Sequence, residues 1–184
     1  MPDSGLIDTR VLLYRKPFAR PLFSPSCQNT PHLTTTTNIG RVDMAPIDIL
    51  IRCTLSHILV KFGTTCAGNI YGCIYPDMGN TPAAGALLAV TANLAKSGTS
   101  RIQKLPLTAN LRVNPGRYWI GLESDEATTV VYYGIGTYLA AAIDPLISRA
   151  YYDRGPYGVP SAPCPAVTID QYSRWMGLEV VSVP

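Results

Sequence analysis

The chain has 184 residues, which suits one domain with extensions. Apolar residues make up 47 % and charged residues 15 %, against roughly 25 % charged in an average soluble domain; this excludes a chain disordered throughout and hints at a surface covered by partners. The net charge is +3, and no apolar run approaches the roughly 18 residues of a membrane span, so a membrane protein is not expected.

Sixteen Pro, fifteen Gly and eleven Tyr favour turns and strands over helices. Residues 1–20 lack the charged head, apolar middle and small-residue cleavage site of a secretory signal. The protein is therefore expected to act where it is made, or to leave by cell lysis inside an assembled particle.

The leading segment, residues 1–43, reads as an extended arm. Pro2, Pro17, Pro21, Pro25 and Pro31 forbid helix and interrupt sheet ladders, and a Thr34–Thr37 run follows. Residues 1–41 hold Arg10, Arg15, Lys16, Arg20 and Arg41 against Asp3 and Asp8, whereas the rest of the chain holds ten basic and ten acidic groups. The whole positive excess sits on the arm. Such an arm cannot fold alone and takes a fixed path only over its own domain or over neighbouring chains. Arg10, Arg15, Lys16 and Arg20 are predicted to meet acidic surface, while Leu12, Leu13, Phe18, Leu22 and Phe23 fill grooves. Nucleic acid is a less expected partner, because the five cations lie among prolines without a stacking platform.

Residues 44–140 read as a β domain. At residues 47–55, Ile47, Ile49, Ile51, Cys53 and Leu55 fall on one face and Asp48, Arg52 and Thr54 on the other, a period of two that predicts one half-buried strand. An apolar stretch at 58–62, a turn at 63–65 and an alternating strand at 69–75 follow. Residues 76–80 are a dense turn signal. Further strands are predicted at 87–92, 100–108, 117–123 and 128–133, the third launched by the Asn114-Pro115-Gly116 turn. Short strands at roughly ten-residue spacing describe an all-β sandwich or jelly-roll-like fold. A short helix is allowed only at 136–147. Residues 141–184 form a loop-rich extension, with Pro156, Pro160, Pro163 and Pro165, ending in a strand at 175–183 that completes the domain or an interface.

The residues offer little chemistry. Cys27, Cys53, Cys66, Cys73 and Cys164 are odd in number and contain no C-x-x-C pair, so they read as small buried apolar residues in a reducing compartment. His57 lies beside Ser56, but no G-x-S-x-G is present. Glu123, Asp125 and Glu126, like Asp77 and Asn80, lack the spacing of a calcium loop and read as solvated turns. No catalytic residue, cofactor or metal is expected. Tyr71, Tyr75, Trp119, Tyr132 and Tyr133 are predicted on outward strand faces, first as half-buried sheet residues and otherwise as contacts to a glycan or a neighbouring subunit.

Three stretches carry a resemblance. They are Thr65-Cys66-Ala67-Gly68-Asn69-Ile70-Tyr71-Gly72-Cys73-Ile74-Tyr75, the Pro82–Leu88 loop with Gly85-Ala86-Leu87, and Asn114-Pro115-Gly116-Arg117-Tyr118-Trp119-Ile120-Gly121-Leu122. In this order they resemble a β-sandwich domain recurrent in tailed-bacteriophage virion proteins, over residues 44–135. The resemblance implies a virion component: a capsid decoration or cement protein that fastens neighbouring subunits, or a tail fibre or baseplate module that binds receptor or carbohydrate. As such a component the chain is expected to have other virion proteins as partners and to form a homo-oligomer, a trimer. It implies no catalytic residues.

Overall fold

The computed structural model describes residues 18–19, 33–35, 39–63, 66–98, 101–127, 132–134, 149–170 and 176–183. The described elements are all strands: β1 Phe18–Ala19, β2 Leu33–Thr35, β3 Arg41–Ile49, β4 Cys53–Lys61, β5 Asn69–Pro76, β6 Ala89–Val90, β7 Leu94–Ala95, β8 Ile102–Val113, β9 Gly116–Ser124, β10 Tyr132–Gly134, β11 Arg149–Asp153, β12 Thr168–Asp170 and β13 Met176–Ser182. They form a four-stranded sheet in the order β1-β13-β4-β8 and a seven-stranded sheet in the order β12-β11-β3-β9-β5-β6, with β7 also on β5. A small ladder joins β10 to β2. Every ladder is antiparallel. The protein has the all-β, sandwich-like architecture expected of its turns and alternations.

The core lies between the two sheets. Ala45, Ile47 and Ile49 of β3, Ile70 and Ile74 of β5, and Ile120 and Leu122 of β9 face Leu55, Ile58 and Val60 of β4, Leu105 of β8, and Leu178 and Val180 of β13. Thr91 and Leu107 bridge one flank, and the Thr108 hydroxyl donates to the Val90 carbonyl at 3.0 Å, so β6 and β8 tie the two sheets together there.

The strand expected at 47–55 is two strands. The chain leaves β3 at Ile49, turns through Leu50, which is 77 % exposed, and enters the opposite sheet at Cys53. Ile47, Ile49, Cys53 and Leu55 still point into one core. A period of two reports which residues face a common interior, and an arch from one sheet to the other preserves that facing. Strand β8 runs on to Val113, past the expected end at 108, whereas the strand expected at 87–92 is only Ala89–Val90. Pro106 sits in β8, at the edge of its sheet, where a missing N–H costs least.

The sandwich begins at Arg41, a little ahead of the expected boundary, and Val42 is already fully buried. The trailing segment adds strands to both sheets: β11 pairs with β3, and β13 lies inside the smaller sheet between β4 and β1. Two pieces of the arm pair with the rest of this chain, Phe18–Ala19 with Glu179 and Leu178, and Leu33–Thr35 with Tyr132–Gly134. The expected helix at 136–147 lies outside the described residues, as do Arg10, Leu12, Leu13, Arg15, Lys16, Arg20, Leu22, Phe23 and Cys27.

Candidate functional site

The seven-stranded sheet is buried on both faces. Its outer face carries Val42 and Met44 of β3, Cys73 and Tyr75 of β5, Trp119 of β9, and Ala150 and Tyr152 of β11, all packed with Cys164, Leu87 and Val167. The cover is the segment between β11 and β12. Arg154 N–H donates to the Gly40 carbonyl at 2.6 Å, and Cys164 exchanges backbone bonds with Ala84 and Gly85 at 2.8 and 2.9 Å. Gly40 takes φ +72°, and a Cβ there would lie 1.8 Å from the Gly155 carbonyl oxygen, so the clasp requires glycine. Gly121 opens space on the sheet itself, where an added Cβ would meet Cys73 Sγ at 2.5 Å and Val42 Cγ1 at 2.9 Å.

This arrangement corrects the reading of the strand aromatics. Tyr75 and Trp119 were expected on outward faces open to a glycan or a subunit; they are 0 % and 1 % exposed. They do point away from the inter-sheet core, but the cover lies over them. Their polar ends are satisfied inside the protein. Tyr75 donates its hydroxyl proton to the Ser161 carbonyl at 2.5 Å. A phenol carries one proton, so Tyr152 supplies the one shared between the two hydroxyls at 3.1 Å, and its oxygen accepts Ser161 N–H at 3.1 Å. Burial pushes the Tyr152 hydroxyl up to about 12 and the Tyr75 hydroxyl higher still. Trp119 Nε1 donates to Asp77 Oδ1 at 2.7 Å, and Asp77 Oδ2 accepts Asn80 N–H at 2.9 Å, so the turn carboxylate expected in solvent holds the indole.

Tyr71 is half-buried and meets the Tyr157 ring at a centroid distance of 5.3 Å and a tilt of 37°. Tyr157 donates its hydroxyl to Asn93 Oδ1 at 2.6 Å. Tyr132 and Tyr133 pair through their backbones with Thr35 and Thr34.

The acidic cluster is likewise built in rather than solvated. Strand β9 continues to Ser124, so alternation places Glu123 on the outer face beneath the cover, 0 % exposed. Arg154 Nη1 and Gly158 N–H each donate to Glu123 Oε1 at 3.3 Å, and Oε2 makes no hydrogen bond. Burial raises the pKa of this carboxyl, against the opposing pull of Arg154. A general acid must reach its substrate; this one is enclosed and clamps the covering segment to the sheet. Asp125 accepts Asn69 N–H and Asn69 Nδ2 at 2.5 and 2.6 Å.

Two further arrangements resemble catalytic pairs and are held differently. Ser56 Oγ and Glu179 Oε2 both approach His57 Nδ1, at 2.7 and 2.9 Å, and Lys104 holds the other Glu179 oxygen. A triad needs nucleophile and carboxylate on opposite ring nitrogens, so this cluster does not relay a proton from Ser56. Lys96 Nζ donates to Ser124 Oγ at 2.5 Å, and burial lowers the lysine pKa, as a serine–lysine dyad would require. Ser124 is itself 1 % exposed and donates to the Glu126 carbonyl at 2.9 Å, so its oxygen is closed to an incoming carbonyl.

Cys53, Cys73 and Cys164 are buried, Cys66 is half-buried, and all four thiols are free. Burial raises the pKa of each, Cys164 to about 11. Among the described residues no three His, Cys, Asp or Glu side chains are grouped to hold a metal ion, and no helix is long and apolar enough to cross a membrane. Sequence reasoning missed Arg154, Tyr157, Lys96 and Ser124, whose roles depend on contacts distant in the chain. No family model, curated protein or solved structure matches the chain.

Proposed function

We propose that the chain is a non-enzymatic structural protein of a bacteriophage virion, a capsid decoration or cement protein that fastens neighbouring subunits. The observation that carries this reading is the way the leading segment holds on. Phe18–Ala19 adds a strand beside β13 at the edge of the smaller sheet, and Leu33–Thr35 adds one beside β10. Strand addition uses backbone hydrogen bonds and tolerates varied side chains, so it is a general way for an extended segment to grip a sheet edge. Both pairings here are made within the chain itself; the proposal is that the same basic, proline-rich segment grips acidic neighbours in this way in the assembled particle. The resemblance of the three sequence stretches to phage virion sandwiches supports the setting.

Among the described residues, the two buried clusters begin at Val42 and take nothing from residues 1–35. Deleting residues 1–35 should therefore leave a folded body with a cooperative thermal transition that no longer joins assembled particles. Normal incorporation of the truncated chain would defeat the proposal.

The Tyr71–Tyr157 pair favours a second reading, a carbohydrate-binding module of a tail fibre or baseplate, since tilted aromatic faces can stack on sugar rings. A glycan array probed with the assembled protein separates the two, with binding that is lost in Tyr71→Ala and Tyr157→Ala supporting the module.

A further inference from the structure

The outer face of the four-stranded sheet carries a cleft of about 230 Å³ lined by Arg52, Cys53, Thr54, Arg112, Ser182 and Val183. It is built across three strands. Ser182 of β13 is in register with Thr54 of β4, and Thr54 with Arg112 of β8. Cys53 and Leu55 point into the inter-sheet core, so Thr54 between them points outward, with its row neighbours about 5 Å to either side. Arg52 stands just before β4, at the arch between the sheets, and its Nε donates to Asn114 Oδ1 at 3.0 Å. That bond holds one edge of the guanidinium and leaves its other nitrogens for a ligand.

Among the described residues the charges at this face are not balanced. Glu179 is the single carboxylate on β4, β8 and β13, and its Oε1 is held by Lys104. Asp48, on the far side of the arch, is held by the Arg117 fork at 2.9 and 3.3 Å. Among the described residues the cleft therefore presents two guanidinium groups and two hydroxyls, with no acid in its lining. Adjacent cations repel, and a dianion between them removes that cost. Planar guanidinium forks flanked by hydroxyl donors match the tetrahedral oxygens of a phosphoryl group, and the volume is below that of a drug-sized pocket.

We propose that this cleft is a phosphate-binding site, in which Arg52 and Arg112 grip the phosphoryl oxygens and Thr54 and Ser182 donate hydroxyl hydrogen bonds. The phosphoryl group has two sources, free orthophosphate or the backbone of a nucleic acid. The inference rests on the smaller sheet and is independent of the arm's role.

The test uses the full chain. Orthophosphate is titrated against chloride at matched ionic strength, and the backbone amides of Thr54 and Arg112 are followed by NMR. Saturable shifts are expected, with affinity reduced at least ~10-fold in Arg52→Gln and in Arg112→Gln, and saturation lost in the double variant. Both arginines are exposed, so the variants should melt with the parent. A second arm titrates a single-stranded oligodeoxynucleotide: tighter binding weakened by the same variants identifies the backbone as source, and oligonucleotide binding indifferent to them, with orthophosphate binding still sensitive, identifies free phosphate. No saturable shift with orthophosphate, or affinity unchanged in the double variant, would overturn the site. So would equal or tighter binding of a poly-glutamate peptide, which would make it a carboxylate site.

Discussion

The two faces of the seven-stranded sheet are both closed to solvent, but by different means. The inner face is aliphatic, with Ile47, Ile70, Ile74, Ile120 and Leu122 set against the opposing sheet. Such side chains need only close packing, and any well-shaped apolar surface supplies it. The outer face carries Tyr75, Trp119, Tyr152 and the Glu123 carboxyl, each with a polar atom that must find a partner once water is removed. The partners come from particular atoms of the covering segment and the nearby turn: the Ser161 backbone, Arg154, Gly158 N–H and Asp77. One face is specified by volume and the other by hydrogen bonds, and this is why a loop-rich, proline-studded segment can serve as the second cover.

The strongest way to break this comparison is Trp119→Ala. If the outer face is a true second core, the truncation should cost about 3–5 kcal/mol in denaturant unfolding, as a deletion in the inner face would. A loss below ~1 kcal/mol would reduce the cover to a loose flap. Tyr75→Phe keeps the ring and removes only the hydroxyl, leaving the Ser161 carbonyl without its donor and Tyr152 without its acceptor. A loss of about 1 kcal/mol is expected, and an unchanged or raised midpoint would show that the hydroxyl chain contributes nothing. The smallest effect belongs to Lys96, at the polar end of the inner face. Its folded pKa lies below the ordinary 10.5 because burial disfavours the charged amine. The unfolded chain then binds more protons, so stability rises with pH between the folded pKa and 10.5. Lys96→Met should lack that rise, so the parent should gain stability relative to the variant on alkaline titration; parallel curves would mean that the amine feels no burial.

Much of the fold was legible in the sequence. Alternation marked β5 and β9 almost to the residue, and Asn114-Pro115-Gly116 marked the turn between β8 and β9. Alternation could not separate Ile49 from Cys53 into two sheets, because both face the same interior. For the same reason it placed Tyr75 and Trp119 away from the inner core correctly yet took that direction for exposure. Which strand face is covered depends on where residues 154–167 return, and nothing near Tyr75 encodes that.

By itself the sequence determined the class of structure and the positions of most turns, since a two-residue period and the backbone limits of proline and glycine act within a few residues of one another. It also determined that the positive excess lies on the leading segment. Only the tertiary structure decided that the large sheet has two buried faces, that Glu123 sits under Arg154, and that Arg52, Thr54, Arg112 and Ser182 share one cleft. Those groupings join residues tens of positions apart, and such contacts arise from sheet order and register, which local patterns leave open.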